Sequence, residues 1–236
     1  MIKYFLLYIS PYLAVAGLLI GLFYRLYKWL SAPKGAPAPI YPRASKSPLR
    51  KAIDYVFIIA TFKPLYDIDK RLWLASWTSH LGLLMFTIGH FRLLTEFTPL
   101  WNILGLDEKG IELFAFVSGG IAGLMFMIPL FYLLYRRFTP LLRKLSVFED
   151  YFAILLVLAL AVTGNYMRFF EHVDVEALRK YFIGLITLNP IPLTYDSPLF
   201  LAHYALAQLF LIYFPFSKLF HALGAFVSNA VLFKER

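Results

Sequence analysis

The sequence predicts an all-α fold: an integral membrane bundle of five transmembrane helices, N-terminus outside and C-terminus inside, with interfacial amphipathic helices. Of its 236 residues, 60% are apolar and 16% are charged, whereas a soluble domain is about 45–50% apolar and about 25% charged. A water-soluble globule and a disordered chain are therefore both excluded. The length leaves room for a single membrane domain, 1–236.

The five spans are stretches nearly free of Asp, Glu, Lys and Arg, each long enough to supply the roughly 20 apolar residues that cross a bilayer. They cover residues of about 4–28, 72–95, 111–136, 147–168 and 197–221. The first span is predicted to be retained, because it is too long for a signal peptide and lacks a basic n-region. Residues 181–195 are uncharged too, but they are few and include Asn189-Pro190-Ile191-Pro192, which predicts an interfacial loop after a short helix.

The orientation follows from the positive charges in the connections between the spans. Lys and Arg number 17 in the connections 25–71, 136–144 and 218–236, against 6 on the other side. Because positive residues concentrate on the cytoplasmic side, these connections are predicted to be cytoplasmic and the protein to lie in the inner membrane. The net charge of +9 has the same explanation, so lipid is the expected partner and nucleic acid is not.

Two amphipathic helices are expected at the cytoplasmic membrane surface. Arg50–Tyr66 carries Ile53, Val56 and Ala60 at helical spacing, which predicts a helix with one apolar face. Ala222–Phe233 is a second candidate. The first helix could rest on lipid or form a docking surface for a cytoplasmic subunit, and the sequence leaves both readings open.

Four of the five histidines lie within, or at the edge of, two predicted spans: His80 and His90 in the second, and His203 and His221 in the fifth. Ionisable side chains inside a bilayer are costly and usually functional. Because the two spans are antiparallel, His90 pairs by depth with His203 on the outer side, and His80 with His221 on the inner side. Each pair offers two imidazoles from facing helices, which suits the axial ligation of a non-covalent haem b. His172 is predicted to be a surface residue.

Other redox and metal chemistries fit less well. Cysteine is absent, which excludes disulfides, thiolate zinc sites, iron–sulfur ligation and covalent haem attachment. Zinc prefers four ligands at one point, and the two histidines on each span are too far apart. A histidine proton relay would usually include Asp or Glu within the spans, but their uncharged cores, 4–24, 72–91, 113–135, 151–167 and 197–217, contain none.

The spacing of the histidines does not match perfectly between the two spans. On straight helices, His80 and His90 are separated by roughly 15 Å of rise, and His203 and His221 by roughly 27 Å. The excess of about 12 Å must be absorbed by helix tilt or by a kink at Pro215. The sequence does not decide between these two solutions.

Glycines near the histidines are candidates for contact with the haem ring. Gly82, Gly89 and Gly120 would let a flat macrocycle approach the helix backbone closely. Helix packing explains them as well, since Gly119-x-x-x-Gly123 fits the small-xxx-small pattern of membrane helix interfaces.

Haem propionates need cations near the membrane surface. On the outer side Arg92, two residues after a ligand, is the first candidate and Arg168 the second. The inner candidates, each of which could also be a topology anchor, are Arg71, Arg136, Arg137 and Lys218.

The motif His80-Leu-Gly-Leu-Leu-Met-Phe-Thr-Ile-Gly-His90-Phe, followed by Thr98-Pro99-Leu-Trp101, resembles the second helix of respiratory nitrate reductase gamma subunits. Phe116–Gly123, running on to Arg136-Arg137, is similar to their third helix. The segment from His203 through Phe214-Pro215-Phe216-Ser217-Lys218 to His221 resembles their fifth. The resemblance implies a di-haem cytochrome b with the ligand pairs given above.

The first connection resembles a particular branch of that family. Phe62-Lys-Pro-Leu-Tyr66 and Asp69-Lys-Arg-Leu-Trp-Leu-Ala75 look like the cytochrome b subunit of the dissimilatory sulfite reductase-associated membrane complex. They are also similar to the membrane subunit of heterodisulfide reductase. This resemblance implies a cytoplasmic iron–sulfur subunit, further subunits of a membrane redox complex, and a role in sulfur metabolism.

The function expected from these features is electron transfer between menaquinol, oxidised near the outer haem, and the cytoplasmic iron–sulfur subunit. Lys109 and Glu112 are candidates for the acid–base group of a quinol site, although both also fit an ordinary helix-start charge pattern. One alternative is the gamma subunit of a respiratory nitrate reductase. A second, from a different class, is a proton-coupled transporter that uses the histidines without haem.

Overall fold

A computed structural model describes residues 1–31, 47–221 and 223–224, and within them every regular element is a helix. The main helices of the described residues are α1 (Ile2–Ser31), α2 (Pro48–Thr61), α3 (Lys63–Ile68), α4 (Lys70–His90), α5 (Thr98–Leu104), α6 (Glu108–Arg137), α7 (Pro140–Leu145), α8 (Phe148–Phe170), α9 (Val175–Ile186) and α10 (Pro198–Tyr213). Short 3₁₀ turns extend α4 (Phe91–Leu93) and follow α10 (Phe214–Phe216 and Lys218–Phe220). The short helix α9, followed by a non-helical segment, agrees with the sequence prediction for 181–195.

Four of these segments are long and apolar enough to cross a membrane: α1, α6, α8 and Pro198–Phe216. The protein is therefore a helical, multi-pass membrane bundle. Helix α4 has 21 residues, or about 31 Å at 1.5 Å per residue, but it is less apolar and is not one of the four. The predicted second span, 72–95, is wrong at its outer end, because the helix tightens into a 3₁₀ turn after His90.

The long helices pack side by side in the order α4, α6, α8, α10 and α1. In three successive pairs the start of one helix meets the end of its neighbour: Asp69 with Arg136, Asp150 with Arg137, and Phe152 with Tyr213. Helices α4, α6, α8 and α10 therefore alternate in direction.

Helices α1 and α10 run parallel. Ser10 donates a hydrogen bond to Gln208 at 2.5 Å. Further along both helices, Gly21 lies against Pro215, so close that a Cβ on Gly21 would overlap the proline ring. Because α10 and α6 point the same way, α1 and α6 also start at the same end of the bundle. The chain must therefore return through α4, which runs opposite to both.

A π-helical segment near the start of α1 follows from Pro11. Proline has no N–H, so it leaves carbonyl groups of the preceding turn without a helical partner, and the helix widens over Phe5–Ile9. Tyr181 donates to the Leu7 carbonyl oxygen, and Gln208 donates to the Leu6 carbonyl oxygen at 3.1 Å. Side chains of α9 and α10 thus satisfy the backbone of α1 and fix the three segments together.

The amphipathic helix predicted over Arg50–Tyr66 is two helices, so that prediction is wrong at its C-terminal part. Helix α2 ends at Phe62, whose φ of 52° is left-handed, and Pro64 then starts α3. Pro64 cannot donate to the Ala60 carbonyl oxygen, which instead accepts from Trp77 Nε1 at 2.9 Å. For the second candidate helix, Ala222 and residues 225–233 lie outside the described residues.

Candidate haem site

The inner pair of histidines is brought together by the fold. The ring centroids of His80 and His221 lie 5.8 Å apart, with an angle of 68° between the ring planes. When two imidazoles bind one metal atom, each ring nitrogen lies about 2 Å from the metal. Adding the distance from each nitrogen to the centre of its ring places the two ring centroids about 6 Å apart. Phe62, at the break between α2 and α3, packs edge-on against His80 at 5.1 Å.

His221 reaches this position because the chain breaks after α10. Pro215 is fully buried, the chain tightens into a 3₁₀ turn, and Ser217 is extended, with φ of −101° and ψ of 171°. His221 is therefore outside the helix that carries His203, and the prediction of one helix over 197–221 is wrong. Neither helix tilt nor a simple kink at Pro215 describes this arrangement, since a complete break absorbs the excess rise.

Polar contacts to the start of α8 hold the segment after the break. The Lys218 backbone N–H donates to Glu149 Oε1 at 2.9 Å. Its Nζ donates to Asp150 Oδ1, also at 2.9 Å, and Asp150 is buried. Glu149 and Asp150 were not among the site residues expected from the sequence, because only the folded chain brings them next to Lys218.

At the predicted outer site, His203 lies against α8. Thr163 Oγ1 is 2.8 Å from His203 Nδ1, and a Cβ on Gly164 would be 3.2 Å from His203 Cε1. The role of Thr163 and Gly164 could not be predicted, since no local pattern says which face of α8 meets α10.

All four paired histidines are held at Nδ1 and leave Nε2 available. The Nδ1 atoms of His80, His90 and His221 lie 2.7, 2.7 and 2.9 Å from the backbone carbonyl oxygens of Ser76, Phe86 and Lys218. A carbonyl oxygen only accepts, so Nδ1 carries the hydrogen and the lone pair is on Nε2. This is the second-shell arrangement that orients a metal-binding imidazole.

The surroundings of these rings fit a flat cofactor with two protein ligands. Helices α4 and α10, which carry three of the four histidines, are not neighbours in the packing order of the described bundle. His90 and His221 are exposed on the chain's own surface, and His80 and His203 are half-buried. Among the described residues no group of three or more metal-ligating side chains converges, and a haem iron needs only two.

The predicted haem-contact glycines have different surroundings. A Cβ on Gly82 would lie 2.7 Å from backbone atoms of Ala122 and Phe126, so Gly82 is a packing contact between α4 and α6. A Cβ on Gly120 would lie 3.1 Å from the Phe169 ring, whereas a Cβ on Gly89 would meet nothing within 4 Å. Of the three, Gly89 is the one that leaves open space beside a histidine.

The two outer arginines also differ. Arg92 Nε donates to Glu96 Oε1 at 3.1 Å, and Arg179 donates to the other oxygen of that carboxylate. Burial raises the pKa of Glu96, but the hydrogen bonds from Arg92 and Trp101 outweigh it, and the net pKa is below the ordinary value. Arg92 is thus committed to a carboxylate.

Arg168 has no carboxylate within 4 Å among the described residues. Its guanidinium lies against α6, where a Cβ on Gly119 would be 3.2 Å away. Of the two predicted outer cations, Arg168 is the one left free to bind an anionic group beside the outer histidines.

The inner cations are largely engaged, since Arg136 pairs with Asp69 at 3.3 Å and Lys218 with Asp150 at 2.9 Å. Lys109 and Glu112 are both exposed in the first turns of α6. His172 is exposed in the loop after α8, as predicted for a surface residue.

Comparison with known proteins identifies the family. Residues 65–233 match the profile of the nitrate reductase gamma subunit family. The chain belongs to this family. The matched region contains all four paired histidines and excludes α1, so the gamma-subunit resemblance of the second, third and fifth predicted spans is confirmed.

Two relatives match nearly the whole chain. The protein is 33% identical to the Hdr-like menaquinol oxidoreductase cytochrome b-like subunit of Archaeoglobus fulgidus, over 93% of this chain and 76% of that protein. It is 24% identical to the protein of the same name from Archaeoglobus profundus, over 95% and 77%. Haem b is therefore the cofactor that the family implies, and the histidines described above are chemically suited to it.

Proposed function

We propose that this chain is the haem b membrane subunit of a menaquinol-oxidising complex. His90 and His203 would hold an outer haem, and His80 and His221 an inner one. One observation supports the proposal: all four histidines are hydrogen-bonded at Nδ1, which leaves the Nε2 lone pair for a metal, and the rings of His80 and His221 lie 5.8 Å apart. A proton-coupled transporter would not require this uniform orientation.

The proposal includes α4 as the fifth transmembrane span. Helices α1 and α6 start at the same end of the bundle, so the chain between them must return to that end. Helix α4 makes this return while packed along α6, with Asp69 bonded to Arg136 at one end and Phe86 against Phe126 further along. Because α6 is long and apolar enough to cross the membrane, a helix packed along it crosses too. The polar ends and small residues of α4 account for its lower hydropathy.

The haems would carry single electrons from a quinol on the outer side to an acceptor on the inner side. The chain's own residues hold and orient the ligands, and Arg168 supplies a cation beside the outer pair. A quinol must also release protons. Lys109 and Glu112 at the exposed start of α6 are the candidate acid–base residues, and the Glu112 carboxylate is the one able to accept a proton. If Glu112 has this role, Glu112→Gln slows quinol oxidation and leaves the haem content unchanged; unaltered kinetics would remove it.

We further propose that the electron acceptor is a cytoplasmic iron–sulfur subunit of the heterodisulfide-reductase type, in a complex of sulfite or sulfur metabolism. The name shared by the two relatives, Hdr-like menaquinol oxidoreductase cytochrome b-like subunit, supports both this branch and menaquinol as the donor. The chain has no cysteine, so a partner subunit that carries an iron–sulfur cluster would have to supply the sulfur chemistry. The orientation with 17 of 23 basic residues inside puts the inner haem on the partner's side of the membrane.

The test is a dithionite-reduced minus oxidised visible spectrum of the purified chain, with haem quantified per polypeptide. Two b-type haems per chain are expected, with one remaining in His203→Ala and one in His80→Ala. A folded chain that was supplied with haem during expression and binds none would overturn the proposal. Metal analysis of the complex purified from native membranes tests the partner: iron and acid-labile sulfide without molybdenum are expected, and molybdenum would indicate a nitrate reductase.

A further inference from the structure

We infer that Thr163 is a positioning residue of the outer site, whose hydroxyl orients His203 and sets the reduction potential of the haem bound there. The inference rests on the proposed function above, since it assumes that His203 is an axial ligand. It assigns a role to a residue of α8, a helix that carries none of the four histidines.

The hydrogen-bond geometry gives the Thr163 hydroxyl a defined direction. Its Oγ1 lies 2.8 Å from the carbonyl oxygen of Ala159 and 3.2 Å from that of Leu160, so the hydroxyl hydrogen points back along α8. The oxygen's lone pair is then directed at His203 Nδ1, 2.8 Å away. Nδ1 therefore donates, and the Nε2 lone pair faces away from α8.

His203 differs in this respect from the other three histidines. Those three donate to backbone carbonyls three or four residues earlier in their own segments, and no substitution can remove these acceptors. His203 lies within hydrogen-bond distance of a side chain on a neighbouring helix, Thr163 Oγ1, and the backbone carbonyl of Leu160 on that helix also faces this imidazole. The Thr163 hydroxyl is the contact at His203 that a substitution can remove.

Gly164 is a second residue of α8 that lies beside this imidazole. A Cβ at this position would be 3.2 Å from His203 Cε1, which is tighter than ordinary van der Waals contact. The glycine lets the ring lie flat against α8, within reach of the preceding hydroxyl. Thr163 and Gly164 thus act as a pair: Thr163 sets the rotation of the ring, and Gly164 sets its distance from α8.

The direction of the effect follows from how a second-shell hydrogen bond acts on a metal ligand. An acceptor at Nδ1 raises the basicity of Nε2, which stabilises the ferric form of the haem more than the ferrous form. Thr163→Val has nearly the same shape but no acceptor. We expect the midpoint potential of the outer haem to rise in Thr163→Val, to stay near the wild-type value in Thr163→Ser, and the inner haem to be unaffected in both.

The experiment is a redox titration of the purified chain, followed by visible and low-temperature EPR spectra of both haems. The component that disappears in His203→Ala identifies the outer haem. Thr87→Val is the matched control, because the Thr87 hydroxyl bonds the Leu83 carbonyl oxygen of its own helix at 2.6 Å, and both potentials should remain at wild-type values.

The possible results separate the two proposals. An outer potential that is unchanged in Thr163→Val, or that moves equally in Thr163→Ser, overturns the role of the hydroxyl. Loss of the outer haem in Thr163→Val but not in Thr163→Ser supports it, and loss in both overturns it. A wild-type chain without haem, or one whose haem content is the same in His203→Ala, overturns the proposed function itself.

Discussion

The carboxylate of Asp150 and the ammonium of Lys218 meet at 2.9 Å, although the residues are 68 positions apart. Asp150 is in the first turn of α8 and Lys218 directly follows the extended Ser217. The ion pair therefore holds the chain where it leaves α10 and turns His221 towards His80. A buried carboxylate, rather than the regular geometry of one helix, determines where the inner pair forms.

We expect Asp150→Asn to weaken the inner pair. The variant replaces a charge-assisted hydrogen bond, worth about 1.5–3 kcal/mol, with a weaker neutral one, so the segment carrying His221 is held less firmly. Haem content and the visible spectrum should report partial or complete loss of the inner haem, with the outer haem retained. Asp67→Asn is the control, because Asp67 forms an exposed i,i+4 pair with Lys63. Equal haem loss in both variants would contradict the positioning role of Asp150.

Gly82 and Gly89 are expected to respond differently to the same substitution. Gly82→Ala brings a Cβ to 2.7 Å from the α6 backbone, which cannot yield as a side chain would, and overpacking of this kind costs about 1–3 kcal/mol. Gly89→Ala meets nothing within 4 Å and should leave stability within about 0.5 kcal/mol. Thermal unfolding in detergent measures the difference, and similar losses in the two variants would contradict the packing role of Gly82.

The two outer arginines should separate a haem-binding role from a structural one. Arg168→Gln removes the cation that has no carboxylate partner among the described residues, and we expect weaker retention of the outer haem. Arg92→Gln removes a contact to Glu96 and should lower stability without loss of haem. Haem per polypeptide after extended detergent washing is the measurement. The opposite result, haem loss in Arg92→Gln alone, would identify Arg92 as the outer cation that binds the haem.

The lowered pKa of Glu96 predicts that the stability of the fold depends on pH. Its pKa is lowered in the folded protein because the hydrogen bonds from Arg92 and Trp101 outweigh the effect of burial. A lowered carboxyl pKa contributes stability that is fully present above the unfolded value, about 4.3, and is lost as the pH falls through the folded value. Below about pH 4.3, wild type should therefore lose melting temperature more steeply than Glu96→Gln.

The control for this pH dependence is Glu108→Gln. Glu108 is exposed in the first turn of α6, so its substitution should leave the pH profile parallel to that of wild type. Parallel profiles for wild type and Glu96→Gln would show instead that the cluster around Glu96 makes no contribution linked to its ionisation.

The positions of the long helices, and the approach of His80 to His221, could be predicted from the sequence. Apolar stretches such as the one in α6 form helices wherever they occur in a membrane, because backbone groups must be satisfied within the segment. The pairing of His80 with His221 needed only the direction and depth of two spans. The break at Phe62 also has a local cause, Pro64, which the prediction of one helix over Arg50–Tyr66 overlooked.

The details of the candidate site depend on contacts between distant segments. Hydropathy and motif spacing are local properties, so the helical membrane fold, the family and the four histidines could be recognised before folding is considered. The break at Ser217, the contact of Asp150 with Lys218 and that of Thr163 with His203 became visible only in the folded chain. These relationships depend on which face of each helix meets its neighbour, and that is set by the packing of all the helices together.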